Sequence, residues 1–149
     1  MDKIDFKLLR QMELDGRQSF AALGSRVGLS KTPCWRRIQQ LETDGVIRSY
    51  RAQIDPAKLG LTLYAFVYAT IHASKYAEFE SAVSRHRSIL QCFSTAGESD
   101  YIMSVLVRDV TALDTLLRDE IAHLPGVERT VTTVCMKTIK EHALIVNCV

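Results

Sequence analysis

Residues 19–45 read SFAALGSRVGLSKTPCWRRIQQLETDG, and the spacing of their apolar residues decides the fold of the amino-terminal third. Phe20, Leu23 and Val27 recur at i, i+3 and i+7, one face of a helix that Ser19 is placed to cap. Gly28-Leu29-Ser30 breaks that period. A further helix follows with Cys34, Ile38 and Leu41 as its inward stripe. Pro33 is tolerated in its first turn, where a missing N–H leaves no intrahelical bond unmade. Asp44-Gly45 stops it. Two short helices joined by a glycine-containing turn of about three residues match the helix-turn-helix plan.

Working outward, Ile4, Leu8 and Met12 recur at i, i+4 and i+8, which predicts a preceding helix. Asp2 and Asp5 sit where the positive end of that helix's dipole favours acids, and Asp15-Gly16 ends it. On the other side, Val46 to Ile54 is rich in β-formers, with Arg48 and Arg51 projecting, and reads as a strand leaving a winged-type headpiece. Asp55-Pro56 through Leu59-Gly60 carries breaker residues. The expected division is a DNA-binding headpiece over 1–51, a linker over 52–60 and a second domain over 61–149.

From Leu61 the pattern changes to that of a sheet. Leu61 to Ala73 reads as a long strand with Leu61, Leu63, Ala65, Val67, Ala69 and Ile71 on one face and Tyr64, Phe66 and Tyr68 on the other. Tyr76, Phe79 and Val83 give a helical stripe. Ile89 to Thr95 and Tyr101 to Val107 read as strands about a Gly97–Asp100 turn. Thr111 to Leu124 is a helix carrying Leu113, Leu116, Leu117 and Ile121, stopped by Pro125-Gly126. Val127 to Ile139 is a fourth strand, and Leu144 to Val149 a candidate fifth. The order β-α-β-β-α-β is the ferredoxin-like plan, so the fold class is α+β. Such a sheet covers one face with its helices. The bare face, bearing Tyr64, Phe66 and Tyr68, is too apolar for a monomer and predicts packing on a second copy.

The net charge of +2 is uninformative until it is divided. Residues 1–51 hold ten Lys/Arg against six Asp/Glu, whereas 52–149 hold nine against eleven. A basic headpiece on a mildly acidic remainder suits one DNA-facing part. Cys34, Cys92, Cys135 and Cys148 form no CxxC pair, and His72, His86, His123 and His142 are scattered, so neither a metal site nor a catalytic triad is expected. The amino-terminal residues lack the apolar core of a secretion signal, and no apolar run reaches the ~18 residues of a membrane span. The expectation is a cytoplasmic protein with reduced thiols and no membrane partner.

At Asp15-Gly16-Arg17, Val27-Gly28-Leu29-Ser30, Thr32-Pro33-Cys34, Arg37, Leu41-Glu42 and Gly45-Val46-Ile47 the sequence resembles the Lrp/AsnC (leucine-responsive/asparagine-type, feast-famine) regulators. Gly97-Glu98-Ser99-Asp100-Tyr101 and Leu124-Pro125-Gly126-Val127 carry the likeness into the second domain, so that it runs nearly end to end. The resemblance implies a DNA-binding headpiece, a linker and an effector domain. It also implies dimers that gather into octamers or other even assemblies, with amino acids as the common effectors. No cofactor is expected. The family's loop reads Gly, then Asp or Asn, any residue, Asp, and Tyr or Phe. Glu98 stands in the second place here, and a longer carboxylate there bears on which effector is admitted and whether one is bound.

The last headpiece helix is expected in the major groove, with Ser30, Lys31 and Thr32 nearest the bases or phosphates. Arg36 and Arg37 come one turn later, and either suits the bidentate contact to guanine. Arg37 matches the family's arginine position and is favoured for it. Gln39 and Gln40 are further candidate readers. Trp35 lies one step off the inward stripe, so it either packs at the headpiece edge or meets the DNA backbone. For the effector, Gly97 permits close approach or positive φ, and Glu98 or Asp100 can accept hydrogen bonds from an α-ammonium group beside Tyr101. Thr132 and Val134 share one face of the last long strand and are candidates for the same pocket. In relatives the effector lies near this loop where two dimers meet. Two other functions share the scaffold: DNA compaction without sequence reading, and a sirohaem-type decarboxylase found among relatives.

Overall fold

A computed structural model describes residues 1–141 and 143–149, so His142 lies outside the described residues. The chain forms two compact units, residues 1–53 with 139–149, and residues 54–138.

The first unit holds α1 (Lys3–Leu14), α2 (Phe20–Val27) and α3 (Lys31–Thr43). Leu8, Leu23, Cys34, Ile38 and Leu41 form its core, each 3% exposed or less. Asp2 caps α1 by accepting from the Ile4 and Asp5 N–H groups, while the Asp5 carboxylate in turn accepts from the Asp2 N–H. Ser19 caps α2 through the Ala22 N–H, and Gly28 closes it at φ +78°, the left-handed turn expected of a helix end. Gly24 has a steric reason to be glycine. A Cβ there would stand 2.7 Å from the Leu29 carbonyl oxygen and 3.3 Å from the Cys34 Cβ, so the turn and α3 pack directly against the α2 backbone.

The strand expected over Val46–Ile54 does not form. Among the described residues no other segment pairs with it, and a lone strand leaves its backbone groups unmatched. Instead Ile47 turns back, its N–H donating to the Leu41 carbonyl, and its side chain packs on the headpiece core.

The second unit is the β-α-β-β-α-β fold. β1 (Leu63–Ile71), β2 (Ile89–Ser94), β3 (Tyr101–Val107) and β4 (Val127–Val134) lie in the order β2-β3-β1-β4, every neighbour antiparallel. α4 (Tyr76–Ser84) supplies Phe79 and Val83 to the core, against Ala65, Val67, Ala69 and Ile71 of β1 and Met103, Val105 and Val107 of β3. The second crossover is one helical stretch with three pitches: α5 (Val110–Thr115), a wide π turn over Leu116–Glu120, and a tight turn over Ile121–His123. The widening has a reason in the sequence. A regular helix that buries Leu116 would turn Glu120, four residues on, toward the core. The wide turn takes up one extra residue and buries Ile121 instead, leaving Glu120 outside to pair with His86 at 3.1 Å.

The fourth strand stops at Val134, short of the expected Ile139, and the candidate fifth strand is a helical turn over Ile145–Cys148. That turn belongs to the headpiece. The Glu13 carboxylate of α1 accepts from the Ile145 N–H at 2.9 Å and the Val146 N–H at 3.1 Å, satisfying the donors that a helical start leaves open.

Candidate nucleic-acid interface and ligand loop

With Cys34, Ile38 and Leu41 turned inward, 100° per residue places Arg36 on the opposite side of α3, with Thr32 and Gln40 near it. Ser30, Lys31, Thr32, Arg36 and Gln40 are all exposed. Ser30 occupies the cap position but its hydroxyl makes no capping bond, which leaves it open to an outside partner. Gln40 donates to Asp44 at 2.7 Å, and Gln39 to Glu42 at 2.7 Å. The two arginines differ. Arg36 makes no hydrogen bond or ion pair among the described residues. Arg37 is half-buried, its Nη1 donating to Asp2 at 2.7 Å and to Asp5 at 2.8 Å.

Arg37 thus ties α3 to the capping box of α1. The Asp5 backbone N–H, then Arg37, hold the Asp2 carboxyl below the ordinary aspartate range. The same pairs hold the Arg37 guanidinium more firmly protonated, the bond to Asp5 being the larger cause. Nothing in the sequence periodicity links positions 2, 5 and 37, because the link is made only when α1 lies across α3. Trp35 is 44% exposed, outside the headpiece core.

At the other unit, Asp100 organises the loop between β2 and β3. Its Oδ2 accepts from the Ile71 N–H at 2.7 Å, its Oδ1 accepts from the Tyr76 hydroxyl at 3.2 Å, and its own N–H donates to the Ala69 carbonyl at 3.0 Å. Both carboxylate oxygens therefore already have partners. Thr95 donates through Oγ1 to the Ser99 carbonyl at 2.6 Å and closes the loop on itself. Gly97 does not have the positive φ that its type allows, and a Cβ there would meet nothing within 4 Å. Its setting is open space. Glu98 is exposed and makes no hydrogen bond or ion pair among the described residues.

Tyr101 is 5% exposed, its hydroxyl donating to Glu80 at 2.7 Å; burial, reinforced by that carboxylate, pushes the phenol up to about 12. An open groove of about 350 Å³ adjoins it, lined by Glu80, Ser84, Cys92 and Ser94 among others. Thr132 and Val134 lie along the sheet from the loop, Thr132 at two residues and Val134 at four. They pair with Val67 and Ala65 of β1, whereas the Asp100 N–H meets Ala69. Val134 is therefore four residues along β1 from the loop, roughly 13 Å at strand spacing.

Among the described residues, no group of three His, Cys, Asp or Glu side chains is placed to hold a metal ion, and no helix is long and apolar enough to cross a membrane.

Residues 1–42 match the AsnC-type helix-turn-helix domain and residues 64–145 the Lrp/AsnC ligand binding domain. The leucine-responsive regulatory protein of Klebsiella pneumoniae is 37% identical over 144 residues, spanning 95% of this chain and 88% of that one. Its Escherichia coli K12 counterpart is 36% identical over the same shares. Among solved structures, a transcriptional regulator of Neisseria meningitidis in complex with L-Met superposes with a TM-score of 0.94 at 31% identity, covering 97% of this chain and 96% of that one. An AsnC family regulator of Agrobacterium tumefaciens gives a TM-score of 0.89 at 34% identity, covering 95% and 94%.

Proposed function

Because this chain belongs to the Lrp/AsnC family of helix-turn-helix transcription regulators, which carry a ligand-binding domain and are not enzymes, we propose that it reads specific DNA sites through α3 and responds to an apolar α-amino acid. The observation that carries the reading is the outer face of α3. It presents Ser30, Lys31, Thr32, Arg36 and Gln40 to solvent, with Arg36 uncommitted. Arg36 carries the guanine contact, and Arg37, the arginine favoured from the family pattern, braces the helix against α1.

The effector class is drawn from the relatives, one named for leucine and one solved with methionine. The Gly97–Tyr101 loop supplies its polar contacts. Asp100 shapes the loop through both carboxylate oxygens, so Glu98 is the carboxylate that accepts from the ligand's ammonium group, with Val134 contributed by a neighbouring chain and Thr132 standing nearer the loop.

Self-association follows from the bare sheet face. Tyr64, Phe66 and Tyr68 stand beside Leu106, Ser104 and Ile102 of β3, and Phe93 of β2 is 57% exposed there. Ser104 is 3% exposed, and its hydroxyl has no hydrogen-bond partner among the described residues. A second copy laid on this face would remove the aromatic surface from water and place two headpieces on one duplex. Even-numbered assemblies such as octamers follow from joining such dimers. The protein works in the cytoplasm, with its thiols reduced.

In vitro binding to fragmented genomic DNA, at fixed salt and with each of the twenty amino acids in turn, tests the reading. Discrete sites whose occupancy shifts with an apolar amino acid are expected. Uniform binding with a specificity ratio near one would replace it with an architectural role.

A further inference from the structure

We propose that Trp35 is a DNA-contact residue that packs its indole against the sugar-phosphate wall of the groove; this rests on the reading of α3 as the recognition helix. It is the chain's only tryptophan, and tryptophan is highly buried on average, yet here it is 44% exposed. Its place on the helix gives the exposure a use. Arg36 points directly away from the headpiece core, and Trp35 lies roughly a quarter turn to one side. Lys31 and Thr32 stand one turn before it and Gln39 one turn after, all exposed.

The two flanks of α3 differ. On the Arg37 flank the guanidinium is taken by Asp2 and Asp5. On the Trp35 flank the one carboxylate, Glu42, accepts from Tyr50 Oη at 2.6 Å through one oxygen and from Gln39 at 2.7 Å through the other. The acid on that flank is thus held in a local network, while Lys31 and Arg36 leave the surface cationic. When the central residue of a recognition helix faces base edges, a residue a quarter turn away meets the backbone at the groove's side. An indole suits that wall, since its ring covers the apolar sugar and its N–H donates to a phosphate oxygen.

A backbone contact positions without reading sequence, which sets the signature to measure. The intact protein is titrated with a mixed-sequence duplex and with a duplex recovered by genomic selection, following tryptophan emission and gel mobility together. Emission is expected to change with both duplexes as the complex forms. Trp35→Ala is expected to weaken both complexes by roughly five- to tenfold, with the ratio between them and the selected consensus unchanged. Trp35→Phe, which keeps a ring and loses the donor, is expected to fall between.

A mobility shift with silent emission would overturn the proposal while leaving α3 as the reader. So would Trp35→Ala binding as tightly as the parent, or an emission change that follows protein concentration without DNA. Absence of any mobility shift would remove the DNA reading itself, and this proposal with it. Because the emission experiment uses the unaltered protein, misfolding of a variant does not obscure the result.

Discussion

Arg36 and Arg37 are adjacent and chemically identical, yet one hundred degrees of helix sets Arg37 against Asp2 and Asp5 and leaves Arg36 on the outer face. The pair Arg37–Asp2 also gives the headpiece an acid-sensitive link. Asp2 has a folded-state pKa below its unfolded value, so the unfolded chain binds more protons in the interval between the two. Its contribution is fully present above the ordinary aspartate value of about 3.9 and is lost as pH falls through the folded value. Thermal unfolding of Asp2→Asn against the parent should show the difference between them shrinking below that range. An unchanged difference down to the lowest pH would mean that the carboxylate does not act as a charged cap. Arg37→Met should lower the headpiece's unfolding midpoint at neutral pH, whereas Arg36→Met should leave it in place, because among the described residues Arg37 has ion-pair partners and Arg36 has none.

Among the elements, the helix-turn-helix depends on the close approach at Gly24. Gly24→Ala puts a methyl group against the Leu29 carbonyl, a backbone atom that cannot swing aside, and should cost about 1–3 kcal/mol of headpiece stability, measured by denaturant unfolding. An effect below about 0.5 kcal/mol would mean that the turn relaxes freely. Much of this architecture was legible in the sequence. Cys34, Ile38 and Leu41 mark α3 because a helix buried on one side must repeat its apolar residues at that period. The strand alternation around Val67 and Val105 works in the same way. What could not be read depends on contacts between distant residues. The Val46–Ile54 segment has strand-forming residues but no partner strand among the described residues, and the Ile145–Cys148 turn takes its shape from Glu13, more than a hundred residues earlier. The helical widening at Leu116–Glu120 follows from the cost of burying Glu120, which periodicity alone averages away. At the candidate site, Ser30, Lys31, Thr32, Arg36 and Gln40 were legible as an exposed face. The commitments of Arg37 and Asp100 were not, because their partners come from other elements.

For the molecule as a whole, the proposed function joins the bare sheet face and the outer face of α3 in one scheme, in which assembly would pair the headpieces that DNA then selects. Phe66→Asp sets a charge in the middle of the bare face, away from the helix-covered core. It should reduce the assembly to monomers in sedimentation equilibrium with the circular dichroism of the fold retained, and weaken DNA binding through the loss of paired headpieces. An unchanged mass would place the subunit contact elsewhere. Whether the outer face of α3 reads sequence is decided by Arg36→Ala. Its affinity for a selected site and for every single-base variant of that site should be compared with the parent's at one salt concentration. A loss of about 1–3 kcal/mol on the selected site and relaxed preference at one G·C pair are expected. An undiminished preference at every position would rule out Arg36 as a base-reading residue.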